Sequence, residues 1–80
     1  MDTEFKQNGG IENMELETAK KLKYGDIIYF YDGIRERPYR IKVLSIKTWK
    51  RNPNRIFISG KYGLYEYPKF NETDLERLKI

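Results

Sequence analysis

The chain's 80 residues hold 16 Lys and Arg against 12 Asp and Glu, a formal charge of +4, with no Cys and no His. That composition excludes disulfide staples, thiolate and imidazole metal sites and any triad built on Cys or His. A chain this short forms one domain that buries roughly 60% of the surface its unfolded state exposes.

Charge is distributed unevenly along the sequence. Residues 1–18 carry one Lys against five acids, whereas residues 35–61 carry nine cations against Glu36 alone, a local balance of +8. No apolar run approaches the ~20 residues that cross a bilayer. The polar start MDTEFKQNGG is unlike a signal peptide. The expectation is a soluble, cytoplasmic protein without a cofactor and without a membrane partner.

Residues 1–13 combine Gly9-Gly10 with polar side chains and offer only Met1, Phe5 and Ile11 as apolar groups, without periodicity. They read as a disordered acidic tail preceding a single domain over residues 14–80. From 15 to 23, Leu16, Ala19 and Leu22 recur every three residues, with Glu15 and Glu17 early and Lys20, Lys21 and Lys23 late. That is the charge order a helix dipole favours, and it predicts a short helix capped by Asn13 and stopped by Gly25.

Residues 26–31, DIIYFY, are β-branched and aromatic and are closed by Asp32-Gly33, which predicts a strand. Ile28 and Phe30 are placed inward, leaving Ile27, Tyr29 and Tyr31 outward. Pro38 precedes a second strand, 39–47, in which Tyr39, Ile41 and Val43 alternate with Arg40 and Lys42. Leu44 and Ile46 fall on the other parity, so a β-bulge or bend is expected near Val43-Leu44. Asn52-Pro53-Asn54 is turn chemistry, and the return arm, 55–59, points Ile56 and Ile58 inward and Phe57 outward.

Gly60-Lys61-Tyr62-Gly63 reads as another turn, leading to a fourth strand at 64–67 that Pro68 ends. Thr73-Asp74-Leu75-Glu76 matches a capping box and predicts a helical turn, with Leu75 and Leu78 on one face to plug the end of a barrel. The fold class is therefore mainly β, with four or five short antiparallel strands, a short N-terminal helix and a C-terminal helical turn.

Two stretches carry a family likeness. Residues 22–30, LKYGDIIYF, resemble the "pGDxVxx" start of a first strand, and residues 39–46 resemble the bent second strand, of the small SH3-like barrel found in KOW and Tudor-type modules. The resemblance covers about residues 16–80 and implies a fold used to bind nucleic acids, ribosomal RNA or other proteins. The chain lacks the adjacent Trp pair and the acidic loop of signalling SH3 domains, which argues against proline-peptide recognition.

Little in the sequence supports catalysis. Ser45 and Ser59 lie in predicted strands without an activating partner, and Asp26, Asp32, Glu36 and Glu66 read as turn acids unless a barrel end brings a pair together. The expected protein is a non-enzymatic module that binds RNA or single-stranded DNA. Arg40, Lys42, Lys47, Lys50, Arg51 and Arg55 would neutralise phosphates, and Tyr29, Tyr31, Trp49 and Phe57 would stack unpaired bases. The alternative is a protein-interaction or regulatory module for an acidic partner, since Tyr and Arg are enriched at interface hot spots. The Lys-, Ile- and Asn-rich composition suits such a module from a bacterial mobile element, with the acidic tail as an internal decoy for the basic face.

Overall fold

Ile28, Ile41, Val43, Ile56 and Ile58 occupy alternate strand positions, and all five are fully buried in the computed structural model, which describes residues 14–80. Burying an Ile or Val side chain contributes about 1.5–3 kcal/mol, so these residues set which face of each strand turns inward. The strands are β1 (Ile27–Phe30), β2 (Tyr39–Thr48), β3 (Ile56–Lys61), β4 (Lys69–Asn71) and β5 (Leu78–Lys79). They form one antiparallel sheet in the order β4-β3-β2-β1-β5. Among the described residues β4 and β5 do not pair with each other, so the sheet is not closed. No helix among these residues is long and apolar enough to cross a membrane.

Helix α1 (Leu16–Lys20) supplies Ala19 to the core, β4 supplies Phe70, and Leu78 arrives from β5. The inward placement of Ile28 follows the alternation, and Phe30 packs against the same cluster. The expected irregularity in β2 is present: pairing with β3 shifts register between Val43 and Ser45. Skipping Leu44 lets Val43 and Ile46 both reach the core side. The bulge's backbone is satisfied from outside the sheet, because Gly25 donates to the Val43 carbonyl and the Val43 N–H donates to Asp26, each at 2.8 Å.

Four local expectations are corrected. The helix is shorter than residues 15–23, its N-cap is Glu15 without a side-chain capping bond, and it ends at Lys20, with Lys21 as C-cap. Gly25, at φ 93°, therefore turns the chain into β1 rather than ending the helix. The fourth strand is not 64–67 but Lys69–Asn71, beyond Pro68. Gly60 and Lys61 belong to β3, and the chain reverses through 63–65, tied by antiparallel bridging of Tyr62 to Glu66.

Gly60 resembles a turn glycine in the sequence but is there for space. A Cβ at this position would collide with Cγ2 of Ile41 and lie 3.3 Å from the Lys42 carbonyl oxygen. The C-terminal capping box lies two residues earlier than Thr73. The Asn71 side chain accepts from the Thr73 N–H at 2.9 Å, and the Asp74 carboxylate accepts from the Asn71 N–H at 2.9 Å, opening a 3-10 helix over Glu72–Arg77. Leu78 is buried, but in β5 rather than in that helix. The helix takes Glu15, not Asn13, as its N-cap; the tail of residues 1–13 lies outside the described residues.

Candidate functional site

Strand alternation sends every second side chain of β2 and β3 away from the core. Lys42 faces Ile27 on one side and Lys61 on the other, Arg40 faces Tyr29, and Tyr29 faces Lys79. Two lysines thus stand directly opposite each other across β2 and β3, an arrangement that destabilises a sheet unless something neutralises it. Arg40, Lys42 and Lys61 line a hollow of about 370 Å³ with Gly63 and Leu64. The Lys42 ammonium donates to the Tyr24 hydroxyl at 3.2 Å, and the Lys61 ammonium lies 5.9 Å from the Tyr67 ring centroid. Among the described residues no carboxylate pairs with any of these three cations; the ion pair seen there joins Lys20 to Glu17 on α1.

The second group sits at the hairpin tip. Arg55 donates its backbone N–H to the Asn52 carbonyl at 3.1 Å, closing the turn around Pro53 and Asn54. Trp49 is half-buried and lies outside the core cluster, with the Arg55 guanidinium 4.3 Å and the Lys47 ammonium 5.3 Å from its ring centroid. Lys50 and Arg51 are exposed beside it. Glu72 reaches this end of β3, accepting from the Ile56 N–H at 3.0 Å. That bond, the residue's own N–H and the nearby Arg55 charge hold its carboxyl below the usual carboxylate range.

The ten residues expected to bind nucleic acid therefore divide. Arg40 and Lys42 lie at one end of the β2–β3 hairpin, and Lys47, Trp49, Lys50, Arg51 and Arg55 at the other, roughly 20 Å apart along β2. Phe57 is half-buried in the row between Lys47 and Asn71, and Tyr29 is half-buried between Arg40 and Lys79. Tyr31 is exposed, with the Lys79 ammonium 5.4 Å from its ring.

A third feature escaped the sequence. Phe30, Tyr39, Ile41, Tyr62, Pro68 and Phe70 line a cavity of about 260 Å³ whose polar lining is completed by Asp32 and Glu66. The rings form a connected wall, with centroid separations of 5.1 Å for Phe70 to Phe30, 6.0 Å for Phe30 to Tyr39, and 5.1 Å edge-on for Tyr39 to Tyr62. The Arg35 guanidinium lies 4.2 Å over the Tyr39 ring and donates to the Tyr62 hydroxyl at 3.2 Å, contacts that hold its proton still more tightly than usual. Asp32 accepts from the N–H groups of Ile34 and Arg35, at 2.8 and 3.0 Å. These two bonds pull its carboxyl below the usual range.

Of the four carboxylates considered from the sequence, Asp32 and Glu66 meet at this cavity, Asp26 is engaged with the Lys23 N–H at 2.8 Å, and Glu36 is exposed on the β1–β2 loop. No cluster of three acids, His or Cys able to hold a metal occurs among the described residues. The available signal was the shared inward parity of Phe30 and Tyr39; reading Tyr62 as a turn residue hid the remainder. Comparison with protein-family models, curated proteins and solved structures finds no match.

Proposed function

We propose that the protein is a non-enzymatic binder of RNA or single-stranded DNA, acting in the cytoplasm, with an SH3-like barrel as its scaffold. Support for the scaffold comes from the sequential antiparallel strands, the bulge that bends β2, and the 3-10 helix that leads β5 back to pair with β1. The observation that carries the functional reading is the Lys42–Lys61 opposition, joined by Arg40 in a hollow where, among the described residues, no carboxylate neutralises them. A phosphate entering that hollow would relieve the repulsion and release counterions. The tip adds a second contact, where Trp49 with Arg55 and Lys47 offers stacking and charge together.

The test is the affinity of a mixed-sequence single-stranded oligonucleotide, measured by fluorescence anisotropy at low and at near-physiological salt. Binding is expected to weaken steeply with salt and to weaken further in Lys42→Ala and Lys61→Ala. Absence of binding at low salt, or binding indifferent to salt, would sink the reading. Nuclease-resistant capture of an acidic protein instead would move it to the protein-interaction class.

A further inference from the structure

The aromatic cavity is on the opposite face of the β2–β3 pair from the cationic hollow, and the two share the 62–66 reversal as a common wall. Tyr39 and Tyr62 line the first, while their sequence neighbours Arg40 and Lys61 line the second. We infer that the cavity is a pocket for one unpaired nucleobase, and that the base it selects is guanine, read by the Glu66 carboxylate. This rests on the nucleic-acid reading above and adds to it a sequence preference and a set of residues, Phe30, Tyr39, Tyr62, Phe70 and Glu66, outside those expected to bind.

Size, shape and free polar capacity converge on that ligand. At about 260 Å³ the cavity is below the ~300–1,000 Å³ of drug-sized sites and suits a single planar group. Its lining is largely aromatic, with Phe30, Tyr39, Tyr62 and Phe70 gathered around it. Splayed-out bases stack on such rings and guanidinium planes and are read along their pairing edges.

The two carboxylates differ in what they have left to give. Asp32 holds the loop by accepting the Ile34 and Arg35 N–H groups on one oxygen, Oδ1, so only its other oxygen is left for a ligand and it cannot offer both at once. Glu66 uses its backbone carbonyl to accept from Tyr62 at 2.9 Å, but its side chain has no partner in the described chain. A lone carboxylate accepts two parallel N–H bonds. Guanine presents N1–H and N2–H side by side on its pairing edge. In adenine, cytosine and uracil a donor there adjoins a ring nitrogen or carbonyl acceptor that the carboxylate would repel. A cationic side chain also suits acids and rings, but its place over Tyr39 and against the Tyr62 hydroxyl is already taken by Arg35, whose charge would repel a second cation.

The experiment uses the full chain and two short single-stranded RNAs, oligouridine and the same oligomer with one central guanosine, measured at one salt concentration. The unmodified protein is expected to bind the guanosine-containing RNA about tenfold more tightly, within the discrimination one bidentate base contact supplies. In Glu66→Gln that preference disappears while oligouridine affinity holds or rises slightly and the melting temperature stays unchanged. Glu36→Gln, which removes the same charge from an exposed loop position, keeps the preference. Equal affinity for the two RNAs, or a preference that survives Glu66→Gln, overturns the pocket assignment and leaves backbone binding standing. Loss of the preference on adding acetyl-arginine amide, with that compound itself seated at Tyr39 and Tyr62 by NMR, assigns the cavity to a cationic side chain and overturns it too. If neither RNA binds at low salt, the nucleic-acid reading falls and takes this assignment with it.

Discussion

The two hollows beside the 62–66 reversal are built from adjacent residues and have opposite chemistry. Tyr39 and Tyr62 contribute to a cavity of rings and carboxylates, whereas Arg40 and Lys61 contribute to one of cations. The period of two in a strand accounts for this, because consecutive side chains leave opposite faces of the sheet. A net charge of +4 describes neither side. What decides binding is which parity each charge occupies, and a single shift of register would exchange the two surfaces.

The largest effect is expected from the core of the sheet that carries both hollows. Ile58 is fully buried and pairs with Ile46 and Phe70. Ile58→Ala should destabilise the fold by about 2–5 kcal/mol in a denaturant titration and weaken both sites together. A loss confined to one site, with stability intact, would mean that the two do not share a scaffold.

Gly60→Ala comes next, because the added Cβ meets Ile41, which lines the aromatic cavity, and approaches the backbone of Lys42 on the cationic side. Overpacking of this kind costs about 1–3 kcal/mol. In a domain of this size each kcal/mol lowers the melting temperature by roughly 4–8 °C. An unchanged melting temperature would show that β3 yields freely at Gly60.

Lys61→Ala separates stability from binding. It removes one member of the opposed lysine pair, so stability should rise by about 0.2–1 kcal/mol even as the slope of log affinity against log salt falls by about 0.7 in magnitude. Destabilisation by Lys61→Ala would mean that its contact with Tyr67 outweighs the repulsion from Lys42.

The smallest effect concerns acid. Asp32 and Glu72 both have carboxyls held below their ordinary values by backbone N–H donors. Their contribution is present above the unfolded carboxylate pKa of about 4 and is lost as pH falls through the depressed folded values. Melting temperature should therefore be level from neutral pH down to about 5 and fall below that. Glu72→Gln keeps an acceptor for the Ile56 N–H but not the charge, and should make the acid decline shallower; an identical decline would assign it to other groups.

The parts of the fold legible in the sequence were those governed by local alternation. Ile28, Ile41, Val43, Ile56 and Ile58 were assigned inward from parity alone, and the phase slip at Leu44 marked the bulge. The parts that were not legible depended on contacts distant in sequence. Gly60 is indistinguishable from a turn glycine until Ile41 is known to lie against it, and Asn71 outcompetes Thr73 as the cap because β4 runs into the 3-10 helix through Asn71. For the same reason the cationic residues could be named while their division between the two ends of the hairpin could not. Of the aromatic cavity, assembled from β1, β2, β4 and two loops, only the inward parity of Phe30 and Tyr39 was signalled locally.

The pairing of β5 with β1 also bears on how the chain folds. Phe30 faces Leu78, and the Met14 N–H donates to the Leu78 carbonyl at 2.9 Å, so the first and last parts of the described chain complete each other. One edge of β1 lacks its partner until the residues after Arg77 have been made. Among the described strand pairs this one joins the residues most distant in sequence, so it carries the largest loop-closure cost. Until it closes, the β1 edge is open to mispairing with another chain.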